Sequence, residues 1–170
     1  MQGPNNACLR FVRAVKNSML EIGGHDAVNS RRFEVLKAMP GRIEGTFLIE
    51  KENLNRARTL HGGMIATLVD TAGSLAVASR GLFRTGVSTD LSSTFVRAGG
   101  TAGETINVIG EVINMGRTLA YTRVELRHSV TGDILAYGSH TKYIRGCADE
   151  TSVEFDEHGE LIRGELPKGA

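Results

Sequence analysis

The run TLHGGMIATLVDTAGSLAVAS, residues 59–79, constrains this chain more than any other stretch. It reads as one long helix of small and apolar side chains, entered through His61-Gly62-Gly63 and carrying a single carboxylate, Asp70. An ionised carboxylate removed from water is unfavourable unless it is paired, hydrogen-bonded or wet, so Asp70 needs a reason for its place. Its neighbours at three and four residues are Ala66, Thr67, Gly73 and Ser74, all small or hydroxylic. The opposite stripe is Ile65, Leu68, Val69, Ala72, Leu75 and Ala76. The bulkier stripe is expected to pack on a sheet, while the small face admits a substrate chain or a second subunit and leaves the carboxylate in a cleft. An exposed Asp on the solvent side of a one-sided helix is the competing reading of the same spacing.

The rest of the chain supplies the sheet. Leu9, Val12, Ala14, Val15, Met19 and Leu20 fall mostly at helical spacing and predict an amphipathic first helix. The same segment carries Arg10, Arg13 and Lys16 with no acid before Glu21, a pattern that a mitochondrial presequence shares. GGHDAVNS (23–30) reads as a loop, RRFEVLKAMPG (31–41) as a short helix or turn ended by Pro40-Gly41, and RIEGTFLIE (42–50) as a strand. Beyond the central helix, TGVSTDLSSTFVR, ETINVIGEVINM, AYTRVELRHS and ILAYGSHTKYI follow as strands. The third of these is the clearest, since Thr122, Val124 and Leu126 alternate with Tyr121, Arg123, Glu125 and Arg127. Short glycine-bearing joints at 114–117 and 131–133 predict antiparallel hairpins. Five strands and one long helix give an α+β design, with helices on one face of an antiparallel sheet. The chain divides into a helical segment over 1–40, a core domain over 41–145 and an acidic extension over 146–170. That extension, with a turn signal at Glu157-His158-Gly159, reads as a short hairpin or a mobile tail.

Composition removes several function classes. A net charge of +1, scattered basic residues and the absence of Trp leave no basic face or stacking platform for nucleic acid. No run approaches the ~18 apolar residues of a membrane span, so a soluble protein is expected. Cys8 and Cys147 stand far apart without a partner motif, which points to a reducing compartment, the cytoplasm or the mitochondrial matrix.

The helix entrance carries the chemistry. Gly62 and Gly63 put backbone N–H groups where no Cβ obstructs a ligand, with the positive end of the helix dipole behind them, a setting suited to a developing oxyanion. Asp70 follows about two turns later. The histidines His25, His61, His128, His140 and His158 lack a ligand spacing such as HExxH, so no metal is expected. No GxSxG elbow supports a serine triad.

The stretch NRARTLHGGMIATLVD, Asn55 to Asp70, resembles the signature of the hotdog-fold acyl-CoA thioesterases of the phenylacetyl-CoA thioesterase-like branch, which includes the acyl-CoA thioesterase thirteen type. The resemblance runs from about Leu9 to Ile144 and includes GVSTDLSSTFVRA, GRTLAYTRVEL and GSHTKY in family order. It implies a hotdog fold, an antiparallel sheet wrapped around a long helix with an extra N-terminal helix. It also implies a homo-oligomer, a dimer or a dimer-of-dimers tetramer, with active sites at the dimer interface. By the resemblance, Asp70 is the general base that activates water, with direct nucleophilic attack as the lesser alternative, and Ser88 helps position that water. Asn55 and the Gly62 N–H polarise the thioester carbonyl from the other chain, and His61 shapes the loop. Asp90, the segment Phe95, Val96, Arg97, Ala98, Gly99 and Gly100, the segment Asn114, Met115, Gly116, Arg117, Thr118 and Leu119, and Lys142 are implied to line the coenzyme A path. Arg97, Arg117 and Lys142 are available there for phosphate charge. The substrate is an acyl-CoA, and no separate cofactor is implied. Two positions depart from the family pattern: Arg58 stands where many relatives have glycine, and Ala98-Gly99-Gly100 replaces a stretch that often holds proline.

Two other readings belong to different classes. A hotdog hydratase or dehydratase would pair a histidine with an acid, and the central helix shows no such histidine. A non-catalytic acyl-thioester binder would keep the glycines and the tunnel without needing Asp70 or Ser88.

Overall fold

The computed structural model describes residues 5–168; residues 1–4 and 169–170, the ends of the two flanking segments, lie outside it. Helix α1 (Ala7–Ile22) begins at Asn6, whose side-chain oxygen accepts the Leu9 N–H at 2.8 Å. Of the apolar residues expected at helical spacing, Leu9, Val12 and Val15 are buried and Ala14, Met19 and Leu20 half-buried, while Cys8 and Phe11 complete the buried face. GGHDAVNS holds a short helix, α2 (Gly24–Asn29), where a loop is expected; it has no buried residue, so no apolar period marks it.

The larger correction concerns residues 31–41, which form strand β1 (Phe33–Met39) and its turn into β2 (Arg42–Leu48). Phe33, Val35 and Ala38 are buried, but a bulge between Val35 and Lys37 breaks the alternation that identifies a strand. Gly41, at φ 88°, closes the turn after Pro40. The sheet therefore begins at Phe33 rather than at Arg42, and it has six strands instead of five.

After α3 (Gly62–Ala78) come β3 (Val87–Phe95), β4 (Thr105–Met115), β5 (Leu119–His128) and β6 (Ile134–Tyr143). The strand order is β1-β2-β4-β5-β6-β3, with every pairing antiparallel, so β3 leaves its neighbours in sequence and pairs with β6 at the sheet edge. Helix α3 lies on one face of the sheet and touches β2 through β6. Leu68, Val69, Ala72, Leu75 and Ala76 are completely buried there. The approach is close: a Cβ on Gly110 of β4 would stand 2.7 Å from the Ala72 carbonyl oxygen. The small face of α3 is divided. Ala66, Thr67 and Asp70 are half-buried, whereas Gly73 and Ser74 turn into the sheet.

The acidic extension takes the hairpin form, β7 (Glu154–Phe155) and β8 (Leu161–Arg163). It docks rather than trails. The Cys8 N–H donates to the Gly159 carbonyl at 2.8 Å, the Val153 N–H donates to the Gly81 carbonyl at 2.9 Å, and the Phe155 ring meets Phe11 edge-on.

Candidate active site

The entrance of α3 is fixed by its loop. The His61 N–H donates to the Asn53 carbonyl (2.8 Å) and the Leu60 N–H to the Gly100 carbonyl (2.9 Å). His61 then caps the helix, its Nδ1 accepting the Gly63 N–H at 2.8 Å. The Gly63 amide is thereby used, while the Gly62 N–H has no hydrogen-bond partner among the described residues. It sits at the first position of the helix, where amide hydrogens point outward at the positive end of the dipole. The Phe95 ring closes over it, so that a Cβ on Gly62 would lie 3.3 Å from the ring.

Asn55 closes its own loop. Its Oδ1 accepts the N–H groups of Ala57 (2.8 Å) and Thr59 (3.2 Å), and its Nδ2 donates to Thr59 Oγ1 (2.9 Å). One amide hydrogen is left for a ligand. Within the same loop Arg58 has φ 62°, the left-handed conformation that glycine adopts without a steric penalty.

Asp70 is neither isolated nor fully exposed. Ser88 Oγ donates to Asp70 Oδ1 at 3.0 Å. His140 Nε2 lies 3.0 Å from the same oxygen and 2.8 Å from Ser88 Oγ. The histidine is completely buried on β6, and the carboxylate keeps 41% of its side-chain surface open to water. Asp70 forms part of a cleft of about 340 Å³ lined by His25, Gly63, Ala66, Thr67, Ser88 and Leu91. The hydrogen bond from His140, aided by the charge of Lys142 and the Ser88 hydroxyl, outweighs burial and holds the carboxyl below its ordinary range. The group is therefore an anion at neutral pH, able to accept a proton from water.

His140 is the site residue that sequence reasoning missed. The acid–histidine pair it found absent does exist, but the histidine lies on a strand rather than on the helix. A signal was available, because His140 and Lys142 occupy alternate, inward positions of β6, where polar side chains demand explanation. Gly73 makes room for the ring: a Cβ there would stand 2.8 Å from His140 Nδ1 and 2.7 Å from Thr122 Oγ1. Nδ1 has no partner among the described residues, so the ring hydrogen belongs on Nε2, facing Asp70 and Ser88.

Lys142, expected on a phosphate path, is instead 5% exposed and donates to Ser74 Oγ at 2.7 Å beneath α3. Burial lowers its pKa, opposed by the Asp70 charge. It faces the site from inside and cannot meet a surface phosphate. Arg97 is exposed and paired with Asp133 at 3.1 Å, and Arg117 is exposed with no ion-pair partner among the described residues. Asp90 stands exposed on β3 opposite Thr141. Phe95, Val96 and Ala98 are exposed; Gly99 is buried against Leu60, and Gly100 takes a positive φ.

Asn114 to Leu119 form the β4–β5 hairpin, with Asn114, Gly116, Arg117 and Thr118 exposed and Met115 and Leu119 half-buried. This hairpin and the 95–100 segment lie at opposite ends of the sheet. Phe95 pairs with Ala136, whereas Leu119 and Val87 both pair with Tyr143. Eight strand steps, about 26 Å, separate Val87 from Phe95. Gly62 and Asp70 are likewise eight residues apart on one helix, about 12 Å. A single chain thus does not bring these groups to one carbonyl. Among the described residues no group of three or more His, Cys, Asp or Glu side chains is placed to hold a metal ion.

Comparison with known proteins places this geometry in context. The thioesterase superfamily model matches residues 57–134, which span α3 and its entrance loop and reach the start of β6. A Schizosaccharomyces pombe protein named as an esterase is 41% identical over 139 residues, covering 82% of this chain and 86% of the relative. Human acyl-coenzyme A thioesterase 13 is 35% identical over 113 residues, 66% of this chain and 80% of the relative. The crystal structure of zebrafish thioesterase superfamily member 2 superposes with a TM-score of 0.72 at 38% identity, covering 79% of this chain and 96% of that one.

Proposed function

The chain belongs to the thioesterase superfamily and has its hotdog fold, and from that premise we propose that it hydrolyses acyl-CoA thioesters to free acid and coenzyme A. The observation that carries the reading is the ionised Asp70 carboxylate, open to water in a cleft and held by Ser88 and His140. Water bound between Asp70 and Ser88 attacks the thioester carbonyl, and Asp70 takes one of its protons. The carbonyl oxygen gathers negative charge, for which the unpaired Gly62 N–H and the remaining Asn55 amide hydrogen are suitable donors. Collapse breaks the C–S bond, the electron pair leaves on sulfur, and the proton held by Asp70 returns to the departing products. The scheme calls for no cofactor.

Because Gly62 and Asp70 of one chain stand about 12 Å apart, the donors come from a second copy. The β3 edge supports this reading, since it is unpaired on one side and exposes Val87, Leu91 and Phe95. A dimer is the smallest assembly that completes the site, and a dimer of dimers would preserve it. Two chains would also bring the hairpin of one and the 95–100 segment of the other toward a common coenzyme path, with Arg117 free to meet phosphate. Among the described residues no helix is long and apolar enough to cross a membrane.

The test is thiol release from a panel of short, long and aryl acyl-CoA substrates. Asp70→Asn is expected to lower kcat at least about 100-fold with an unchanged melting temperature. Unchanged turnover would remove Asp70 from the mechanism. An absorbance change on enoyl-CoA without thiol release would favour a hydratase, against which the complete burial of His140 argues, since its ring cannot touch a substrate.

A further inference from the structure

Helix α2 lies outside the matched residues 57–134, yet it contributes a wall to the Asp70 cleft through His25. The hydrogen-bond direction around this ring is determined from end to end. Asn29 Nδ2, which can only donate, lies 3.2 Å from His25 Nδ1, so Nδ1 accepts and the ring hydrogen sits on Nε2. Nε2 is 3.1 Å from Thr67 Oγ1, whose own hydrogen goes to the Gly63 carbonyl at 3.0 Å, so the Thr67 oxygen accepts from His25. Thr67 precedes Asp70 by three residues on the same face of α3.

His25 also lines an adjoining cleft of about 240 Å³ beneath His61, and the two clefts share His25, Gly63 and Thr67. The other hydroxyl donors of the Asp70 cleft are committed, Ser88 to Asp70 and Thr67 to Gly63. His25 supplies the one side-chain N–H in that lining. Its bond to Thr67 is exposed and between neutral groups, so exchanging it for another acceptor costs little.

Resting on the thioesterase reading, we propose that His25 is a substrate-contacting residue of this site, its Nε2–H passing from Thr67 to an amide carbonyl oxygen of the bound acyl-CoA, distinct from the thioester carbonyl, about one helical turn from Asp70. The N-terminal segment then takes part in substrate selection as well as packing. The contact is neutral and is made in the ground state as well as in the transition state, so its loss acts mainly on KM.

The experiment compares His25→Leu, which keeps bulk without a donor, with His25→Gln, whose amide nitrogen reaches the place of Nε2. Thiol release from acyl-CoA is measured across substrate concentration, alongside melting temperature. In His25→Leu, kcat/KM is expected to fall roughly tenfold, carried by KM, while His25→Gln stays within about threefold of wild type. Melting temperatures should be unchanged, because His25 is exposed. Equal kinetics in the two variants, whether both normal or both impaired, would overturn the assignment while leaving the loss in Asp70→Asn intact. Wild-type protein that released no thiol would instead sink the thioesterase reading, and this assignment with it.

Discussion

Replacing His140 by Leu tests whether the buried ring governs the charge on Asp70. The ring has two hydrogen-bonding neighbours, Asp70 Oδ1 at 3.0 Å and Ser88 Oγ at 2.8 Å, and its Nδ1 has no partner among the described residues. Leu removes the bond to the carboxylate and, at the same time, a buried unpaired nitrogen. Stability at neutral pH should therefore change little, since the lost bond is offset by the apolar replacement. A hydrogen bond to a charged group contributes about 1.5–3 kcal/mol, and the 41% exposure of Asp70 puts the value here at the low end.

In the wild type the Asp70 carboxyl lies below the ordinary value of about 3.9. Its folded pKa is thus lower than its unfolded one, so its stabilising contribution is present above pH ~4 and is lost as pH falls from there through the folded value. The activity profile follows the same group, and kcat/KM for thiol release should stay flat from pH 8 down to about pH 5. In His140→Leu the acidic limb should move to higher pH, because the hydrogen bond that favours the anion is lost while the desolvation that opposes ionisation remains. Rate profiles between pH 4 and pH 8 for the two proteins, with thermal melts at each pH, measure this directly. An unmoved limb with a normal plateau would show that His140 does not hold the carboxylate.

Other perturbations address separate features. Arg58→Gly relieves a left-handed backbone at φ 62° and should raise stability by about 0.5–1 kcal/mol, read from the melting temperature; a loss would mean that the arginine side chain contributes more than its backbone costs. Lys142→Met should leave KM for acyl-CoA within about twofold of wild type, since its Nζ is buried on Ser74, whereas Arg117→Ala should raise KM by roughly three- to tenfold by removing a free surface cation. Steady-state kinetics on a single acyl-CoA compares the two, and the opposite ranking would return Lys142 to the phosphate path.

Much of this molecule was written locally. The apolar run of α3, its His61-Gly62-Gly63 entrance, and the alternation of Thr122, Val124 and Leu126 each satisfy a period that only one secondary structure buries, so helix and strands could be read directly. Strand β1 could not be, because its bulge destroys that period, and α2 buries nothing that would announce it. The site divides in the same way. Asp70 was conspicuous as a lone charge in an apolar helix, but its partners are 18 and 70 residues away, and nothing near it in the chain names them. The pairing of β3 with β6 put Ser88 and His140 within reach of one oxygen, the close seating of α3 at Gly73 made room for the His140 ring, and Ser74 of the same helix accepts the hydrogen bond of the inward Lys142. Periodicity is a property of neighbouring residues and survives in the sequence. Hydrogen-bond partnership depends on distance across a folded sheet, and only the tertiary structure sets it.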